Sequence, residues 1–148
     1  MDRIETLKRE YDRWFRHYSW AWFGTLKIAS GMPSERRAKD LFRQWISDLR
    51  RSEGTEDFRW VRVMERGATG QNLHFHVLVG CLRNRRQHWE SQWEELGGEA
   101  LIGKFDPDKK AILYMTKEMD DSGNLDIDFR LPDQKQSVPQ GRPLEGEE

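Results

Sequence analysis

The sequence predicts an α+β fold built on an antiparallel sheet of about five strands. Helix-like and strand-like segments alternate along the 148 residues in the order αβαββαβα, followed by a weak strand. Two of the strand-like segments are consecutive and are joined by a short link that contains glycine, which is typical of an antiparallel hairpin. This length suits one hydrophobic core. We therefore expect a single ferredoxin-like or RRM-like domain with its helices packed on one face of the sheet.

The first part of the chain predicts two helices and the strand between them. Residues 2–15 place apolar side chains at helical intervals, which predicts an amphipathic helix. Residues 19–29, SWAWFGTLKIA, are rich in aromatic and β-favouring residues and predict the first strand. Pro33 and Ser34 favour a helix start, an apolar stripe follows them, and Gly54 is expected to end this second helix.

The middle of the chain predicts the hairpin, a third helix and a fourth strand. Residues 57–65 and 72–80 are strand-like and flank the link RGATGQ, so they are expected to form the middle of the sheet. Residues 85–98 place two tryptophans on one helical face and end in two glycines. A short strand is predicted over residues 100–105.

The last predicted elements are a helix and a weak strand. Asp106 is a candidate N-cap, and the proline after it favours a helix over residues 107–119. A weak strand is predicted over residues 125–129. Residues 131–148 are rich in Pro, Gln, Gly and Glu with almost nothing apolar to bury, which predicts a disordered tail. The domain is therefore expected to span residues 1–130.

Composition limits the class of protein and its compartment. No apolar run approaches the roughly 20 residues that a membrane span needs, and the N-terminus lacks a secretion signal. Because Cys81 is the only cysteine, no intramolecular disulfide can form and a cytoplasmic location is predicted. From Glu118 onwards nine acidic and three basic residues give a net charge of −6, whereas the preceding residues carry +5. A mildly basic body is compatible with a phosphate-binding surface.

Two histidines lie on the third predicted strand. Side chains alternate along a strand, so His74 and His76 share a face and lie roughly 7 Å apart along the backbone. If the hairpin closes around residues 68–71, Glu65 pairs with His74 on that face. Two imidazoles and a carboxylate leave coordination positions open, which favours a working metal over a structural one. The alternative is that Glu65 is an ordinary charge at the hairpin end. This register also directs Arg62 towards the core, so we expect a bulge or a snorkelling side chain.

A tyrosine lies off the apolar stripe of the fourth predicted helix. Tyr114 shares a polar stripe with Lys110 and Lys117. A phenolic oxygen can act as a nucleophile, a divalent metal can polarise a phosphoryl oxygen, and a nearby ammonium favours the phenolate. These are the parts of a phosphodiester transesterification. Of the other tyrosines, Tyr11 is expected in the core and Tyr18 could stack on bases.

Three motifs in order resemble those of the HUH endonucleases, specifically the single-tyrosine Rep type, over roughly residues 18–119. WFGTLK resembles the strand-borne first motif, although the match is loose. HFH matches the histidine-hydrophobe-histidine motif at His74 and His76, and YMTK matches the YxxK motif at Tyr114 and Lys117. Each pattern alone is weak, but their order and their placement on a strand and a helix are specific.

The resemblance implies a function and a mechanism. Such proteins carry the HUH motif on a central strand and an acidic third ligand, here Glu65, and use Mg²⁺ or Mn²⁺ beside the scissile phosphate of single-stranded DNA. Tyr114 would attack that phosphate and form a 5′-phosphotyrosine, with Lys117 assisting, to initiate rolling-circle replication of a plasmid or virus. The host cell interior is then the expected location. Because the sequence contains no P-loop, a separate helicase is expected, and the chain is expected to be a monomer or a weak dimer.

Two other functions remain possible from the sequence. One is a non-catalytic ferredoxin-like module that binds nucleic acid and has a vestigial metal site. The other is an HUH transposase or relaxase relative. In each case the candidate DNA contacts are one aromatic and four basic residues: Tyr18, Lys27, Arg59, Arg66 and Lys110.

Overall fold

The computed structural model describes residues 2–28, 34–67, 72–80, 86–120 and 122–132. Nine elements follow one another along these residues. They are α1 (Arg3–Arg16), β1 (Trp22–Ile28), α2 (Glu35–Glu53), β2 (Arg59–Glu65), β3 (His74–Gly80), α3 (Arg86–Glu95), β4 (Gly98–Lys104), α4 (Ala111–Met115) and β5 (Ile127–Arg130). Among the described residues, no helix is long and apolar enough to cross a membrane.

The five strands form one antiparallel sheet in the order β4-β1-β3-β2-β5. The predicted α+β class and ferredoxin-like arrangement are confirmed. β3 lies at the centre, between β1 and β2, because the hairpin partner β2 takes one side of it and the first strand takes the other. The histidine strand is therefore held by hydrogen bonds on both sides, which gives its side chains a rigid base.

The helices differ from expectation in one respect, because they cover both faces of the sheet. α2 and α3 bury Phe75 and Val77 on one face. α1 and α4 bury Val61 and Leu78 on the other, which is the histidine face. The physical reason is that β2 and β3 carry apolar side chains in both directions, so each face needs a cover.

The ends of α2 follow the predicted signals. The Ser34 side chain accepts a hydrogen bond from the backbone N–H of Arg37 at 3.1 Å. Gly54 ends the helix with φ of 66°, a left-handed conformation that glycine adopts without the steric cost of a Cβ. Pro33 lies outside the described residues, as does the hairpin link 68–71.

The buried Arg62 has a partner that the sequence analysis did not supply. Neither a bulge nor a snorkelling side chain is present, since the β2–β3 register is continuous and Arg62 is 1% exposed. Its guanidinium donates to Asp126 Oδ1 at 2.9 Å and lies 5.6 Å from the centroid of the Phe75 ring. A buried charge requires such a partner, so this ion pair ties β2 to the segment that leads into β5.

α4 is shorter than predicted. A helix was expected over residues 107–119, but α4 spans only Ala111–Met115 and its N-cap is Lys110. The Asp106 carboxylate instead accepts from the backbone N–H of Asp108 at 2.9 Å, which closes a local turn before the helix can begin. After the helix, Lys117 N–H donates to the Tyr114 carbonyl, an i to i−3 bond of the tighter 3₁₀ type.

The domain extends one residue beyond its predicted end. Leu131, assigned from the sequence to the tail, is 5% exposed and belongs to the cluster formed with α1 and α4. Residues 133–148, the remainder of the predicted tail, lie outside the described residues, as does Cys81.

Candidate active site

Glu65, His74 and His76 form a cluster on the histidine face of the sheet. The predicted pairing of Glu65 with His74 is confirmed, because the β2–β3 register places them directly opposite each other. Nε2 of His74 lies 2.9 Å from Glu65 Oε1, and Nε2 of His76 lies 3.2 Å from the same oxygen. One ligand atom from each of the three residues lies within 4.8 Å of the others. This donor set could hold a divalent metal ion.

Both imidazole rings are oriented through their other nitrogen. Nδ1 of His74 donates to the backbone carbonyl of Asn72 at 3.0 Å. Nδ1 of His76 is hydrogen-bonded to Thr25 Oγ1 at 3.2 Å, and the Phe23 ring stacks on His76 at 5.8 Å between centroids. With Nδ1 so engaged, each neutral ring presents the lone pair of Nε2 to the cluster, which is the usual arrangement of histidine ligands.

The carboxylate of Glu65 is buried and lacks one of its partners. Glu65 is fully buried, and its Oε2 has no hydrogen-bond partner among the described residues. Burial alone would raise the pKa of Glu65, but hydrogen bonds from His74, His76 and Lys117 outweigh that effect and lower it. A buried anion with a free oxygen, facing two imidazole nitrogens, fits a cation ligand site.

The charge of Glu65 also acts on its neighbours. The hydrogen bond to Glu65 raises the pKa of His74, against the opposing effect of burial. Lys117 Nζ donates to Glu65 Oε1 across the gap between α4 and β2. The cluster therefore already gathers positive charge around one carboxylate oxygen, which is the position that a metal ion would neutralise.

Tyr114 lies beside this cluster. Its ring is 51% exposed and packs edge-on against His76 with 5.1 Å between centroids. Lys117 Nζ lies 4.5 Å from the centroid of the Tyr114 ring. The 3₁₀-type turn after α4 stacks residues three apart, so it brings this lysine over the tyrosine. The structure thus assembles the five predicted catalytic and metal-ligating residues in one place.

The predicted DNA contacts occupy different positions. Lys27 is exposed on the histidine face, where β1 pairs it with His74. Lys110 is exposed one turn before Tyr114. Arg59 lies at the opposite end of β2 from Glu65, six residues and about 20 Å away. Only the two lysines are thus close to the cluster.

Tyr18 and Arg66 are engaged elsewhere. Tyr18 is half-buried and packs near Trp20, with ring centroids 6.1 Å apart. The Arg66 guanidinium donates to both Glu35 carboxylate oxygens, at 2.6 and 2.9 Å, and to Asp126 Oδ2 at 2.7 Å. Arg66 therefore has a structural ion-pair role here, and its contact with DNA stays a prediction.

Thr25 is the site residue that the sequence analysis missed. It lies within the WFGTLK segment, but a threonine on a strand is ordinary and gives no signal by itself. The signal appears only when β1 is placed beside β3, because that register pairs Thr25 with His76.

Comparison with known proteins supplies the family. A similar solved structure is that of the hypothetical protein ORF119 from Sulfolobus islandicus rod-shaped virus 1, with 16% identity and a TM-score of 0.49 over 81% of this chain and 97% of that chain. No curated protein matches. The family model for the ORF2-type replication-associated protein matches residues 21–123, which include the whole cluster and Tyr114. The chain therefore belongs to the ORF2-type replication-associated protein family.

Proposed function

We propose that this protein is an HUH-type endonuclease that nicks and rejoins single-stranded DNA at a specific site and so initiates rolling-circle replication. The observation that carries the proposal is the convergence of Glu65, His74 and His76 with Tyr114 packed directly against His76. A metal-ligand set and a nucleophile within one ring contact of each other are what phosphodiester transesterification requires. Membership of a replication-associated family supports this reading.

A divalent ion, Mg²⁺ or Mn²⁺, is the proposed cofactor. Nε2 of His74, Nε2 of His76 and the Glu65 carboxylate would hold it. Bound there, the ion would polarise a phosphoryl oxygen and offset the negative charge that develops in the transition state. Lys117 would contribute a further positive charge at the phosphate, since its ammonium lies between the carboxylate and the tyrosine ring.

The proposed reaction exchanges one phosphodiester bond for another. The Tyr114 oxygen bonds to phosphorus while the bond from phosphorus to the 3′-oxygen breaks, and the phenolic proton is transferred overall to that departing oxygen. The products are a 5′-phosphotyrosine and a free 3′-hydroxyl. The reverse reaction rejoins a strand, which makes the same site a nickase and a ligase. Exposure of Tyr114 to solvent is consistent with access by a DNA strand.

The remaining partners follow from this function. Lys27 and Lys110 are proposed to contact phosphates near the cluster, and Tyr18 to stack on a base. A separate helicase is proposed to open the duplex, because the sequence has no P-loop. We further propose that the protein acts as a monomer or weak dimer inside the cell that carries the replicon.

The test is capture of the covalent intermediate. The protein is incubated with a pool of single-stranded oligonucleotides, with and without Mn²⁺, and resolved on a denaturing gel. We expect a metal-dependent protein–DNA band that is lost in Tyr114→Phe and His76→Ala. Tyr18→Phe is the matched control, since it removes a hydroxyl from another tyrosine and should retain the band.

Two outcomes would redirect the proposal. If DNA binds but no variant or metal condition yields an adduct, even with candidate origin hairpins, the non-catalytic binding module is the better assignment. If the adduct forms and the trapped sequences are transposon ends or transfer origins, the protein is a transposase or relaxase relative.

A further inference from the structure

The histidine face of the sheet is only partly covered by helices. One row of paired residues crosses all five strands on this face: Leu101, Thr25, His76, Val63 and Ile127. Val63 and Ile127 are buried in the cluster formed with α1 and α4. Thr25, by contrast, is half-buried, and Leu101 is 75% exposed. The β4 side of this face is therefore open, immediately beside the histidines.

The exposed apolar side chains concentrate on this face. Among the described residues, the large hydrophobic side chains exposed to solvent are Leu101 and Tyr114. Tyr114 packs on His76 from α4. Leu101 lies two strands from His76 on the open side, about 10 Å away. An exposed leucine in the middle of an edge strand, level with a metal-ligand residue, suggests a surface that contacts a ligand.

The neighbouring rows add an aromatic ring and a cation. Phe23 is half-buried and stacks on His76 with 11° between ring planes, and the residue that β4 places beside it is Gly103, which has no side chain to cover it. Lys27 is exposed between Glu99 and His74. Apolar or aromatic surface for bases, with a cation for phosphates, is the combination that binds single strands.

We propose that the β1–β4 strip, defined as Phe23, Thr25, Lys27 and Leu101, binds the nucleotide next to the scissile phosphate of single-stranded DNA. Leu101 contacts its base and Lys27 its phosphate. This inference rests on the proposed function and adds the place where the strand lies. DNA is the occupant because the strip is continuous with the metal-ligand cluster, so a strand whose phosphate reaches Tyr114 must extend over one side of His76. α1 and α4 cover the other side.

The test measures binding without chemistry. Labelled single-stranded oligonucleotides that contain the nick site are titrated with the protein in chelator, and the Kd is read from fluorescence anisotropy. Leu101→Ala should weaken binding about three- to tenfold, and Leu101→Glu should weaken it further. Gln44→Glu is the matched control, because it adds the same charge at an exposed position of α2, across the sheet. It should leave the Kd unchanged.

A scan of abasic sites locates the contact. Removal of one base at a time should weaken binding of the wild-type protein at one position next to the nick, and that loss should shrink in Leu101→Ala. Because Leu101 is so exposed, its variants should melt with the wild-type protein in circular dichroism. A retained fold makes a changed Kd attributable to the lost contact.

Three results would overturn the inference. If Leu101 variants bind and form the covalent adduct as the wild-type protein does, the strip is not in contact with DNA, while the nicking proposal stands. If the wild-type protein neither binds nor forms an adduct, the proposed function fails and the inference with it. If Leu101→Glu leaves the Kd unchanged but turns a dimer into a monomer by light scattering, the strip pairs two copies of this chain.

Discussion

The hydrogen bond from Thr25 to His76 gives the sharpest test of the metal site. Thr25→Val keeps the shape of the side chain but removes the hydroxyl that lies 3.2 Å from His76 Nδ1. The imidazole then loses the contact that fixes its tautomer and its angle. Loss of such an orienting contact costs about 10- to 100-fold in metal affinity, or roughly 1.4–2.8 kcal/mol. Because Thr25 is only half-buried, water can partly replace the hydroxyl, so we expect about tenfold.

The assay is a Mn²⁺ titration followed by electron paramagnetic resonance of the free ion, at constant pH and salt. Thr25→Ser restores a hydroxyl and should recover most of the affinity, whereas a valine that only disturbed packing would not be rescued in this way. Equal Mn²⁺ affinity for Thr25→Val and the wild-type protein would refute the orienting role. Equal thermal melting of the three proteins in chelator shows that the fold is retained.

The other predictions concern the ion pair under the sheet, the lysine at the site and the end of the domain. Asp126→Asn leaves the buried Arg62 charge without its partner and should cost about 3–5 kcal/mol in urea unfolding. Burial raises the pKa of Asp126, but its hydrogen bond from Arg62 helps to lower it overall, so its stabilisation is present above the usual value of 3.8. That contribution is lost as pH falls through the lower folded pKa, and stability curves from pH 7 to 2 should show a smaller acid loss in Asp126→Asn. Lys117→Met should slow single-turnover adduct formation about 100-fold while Tyr114 still reacts, and an unchanged rate would exclude its role at the phosphate. Leu131→Ala should destabilise the domain by about 2–3 kcal/mol and the exposed Arg130→Ala hardly at all, so equal unfolding midpoints would contradict the extended boundary.

Local periodicity explains why much of the site was predictable. Side chains alternate strictly along a strand, so HFH on a strand already places His74 and His76 on one face. A short hairpin link then sets the register, and that register pairs Glu65 with His74. Both arguments involve residues at most eleven positions apart, where geometry leaves few alternatives.

The shape of α4 was not predictable in the same way. The proline after Asp106 and the apolar stripe favoured a long helix, but the Asp106 side chain closed a turn with the backbone instead. The helix that remains is five residues long, so packing against α1 rather than propensity holds it in place. The polar stripe was correct, because Tyr114 and Lys117 are three residues apart in either type of turn.

By itself the sequence determined the sheet, the hairpin and the residues with metal-ligand and nucleophile chemistry, because these depend on local alternation and turn geometry. Only the tertiary structure decided which residues surround them. Thr25 meets His76 across 51 positions of sequence, and Arg62 meets Asp126 across 64. Contacts at such separations are fixed by strand order and by the burial of both faces of the sheet, and no local pattern in the chain specifies either.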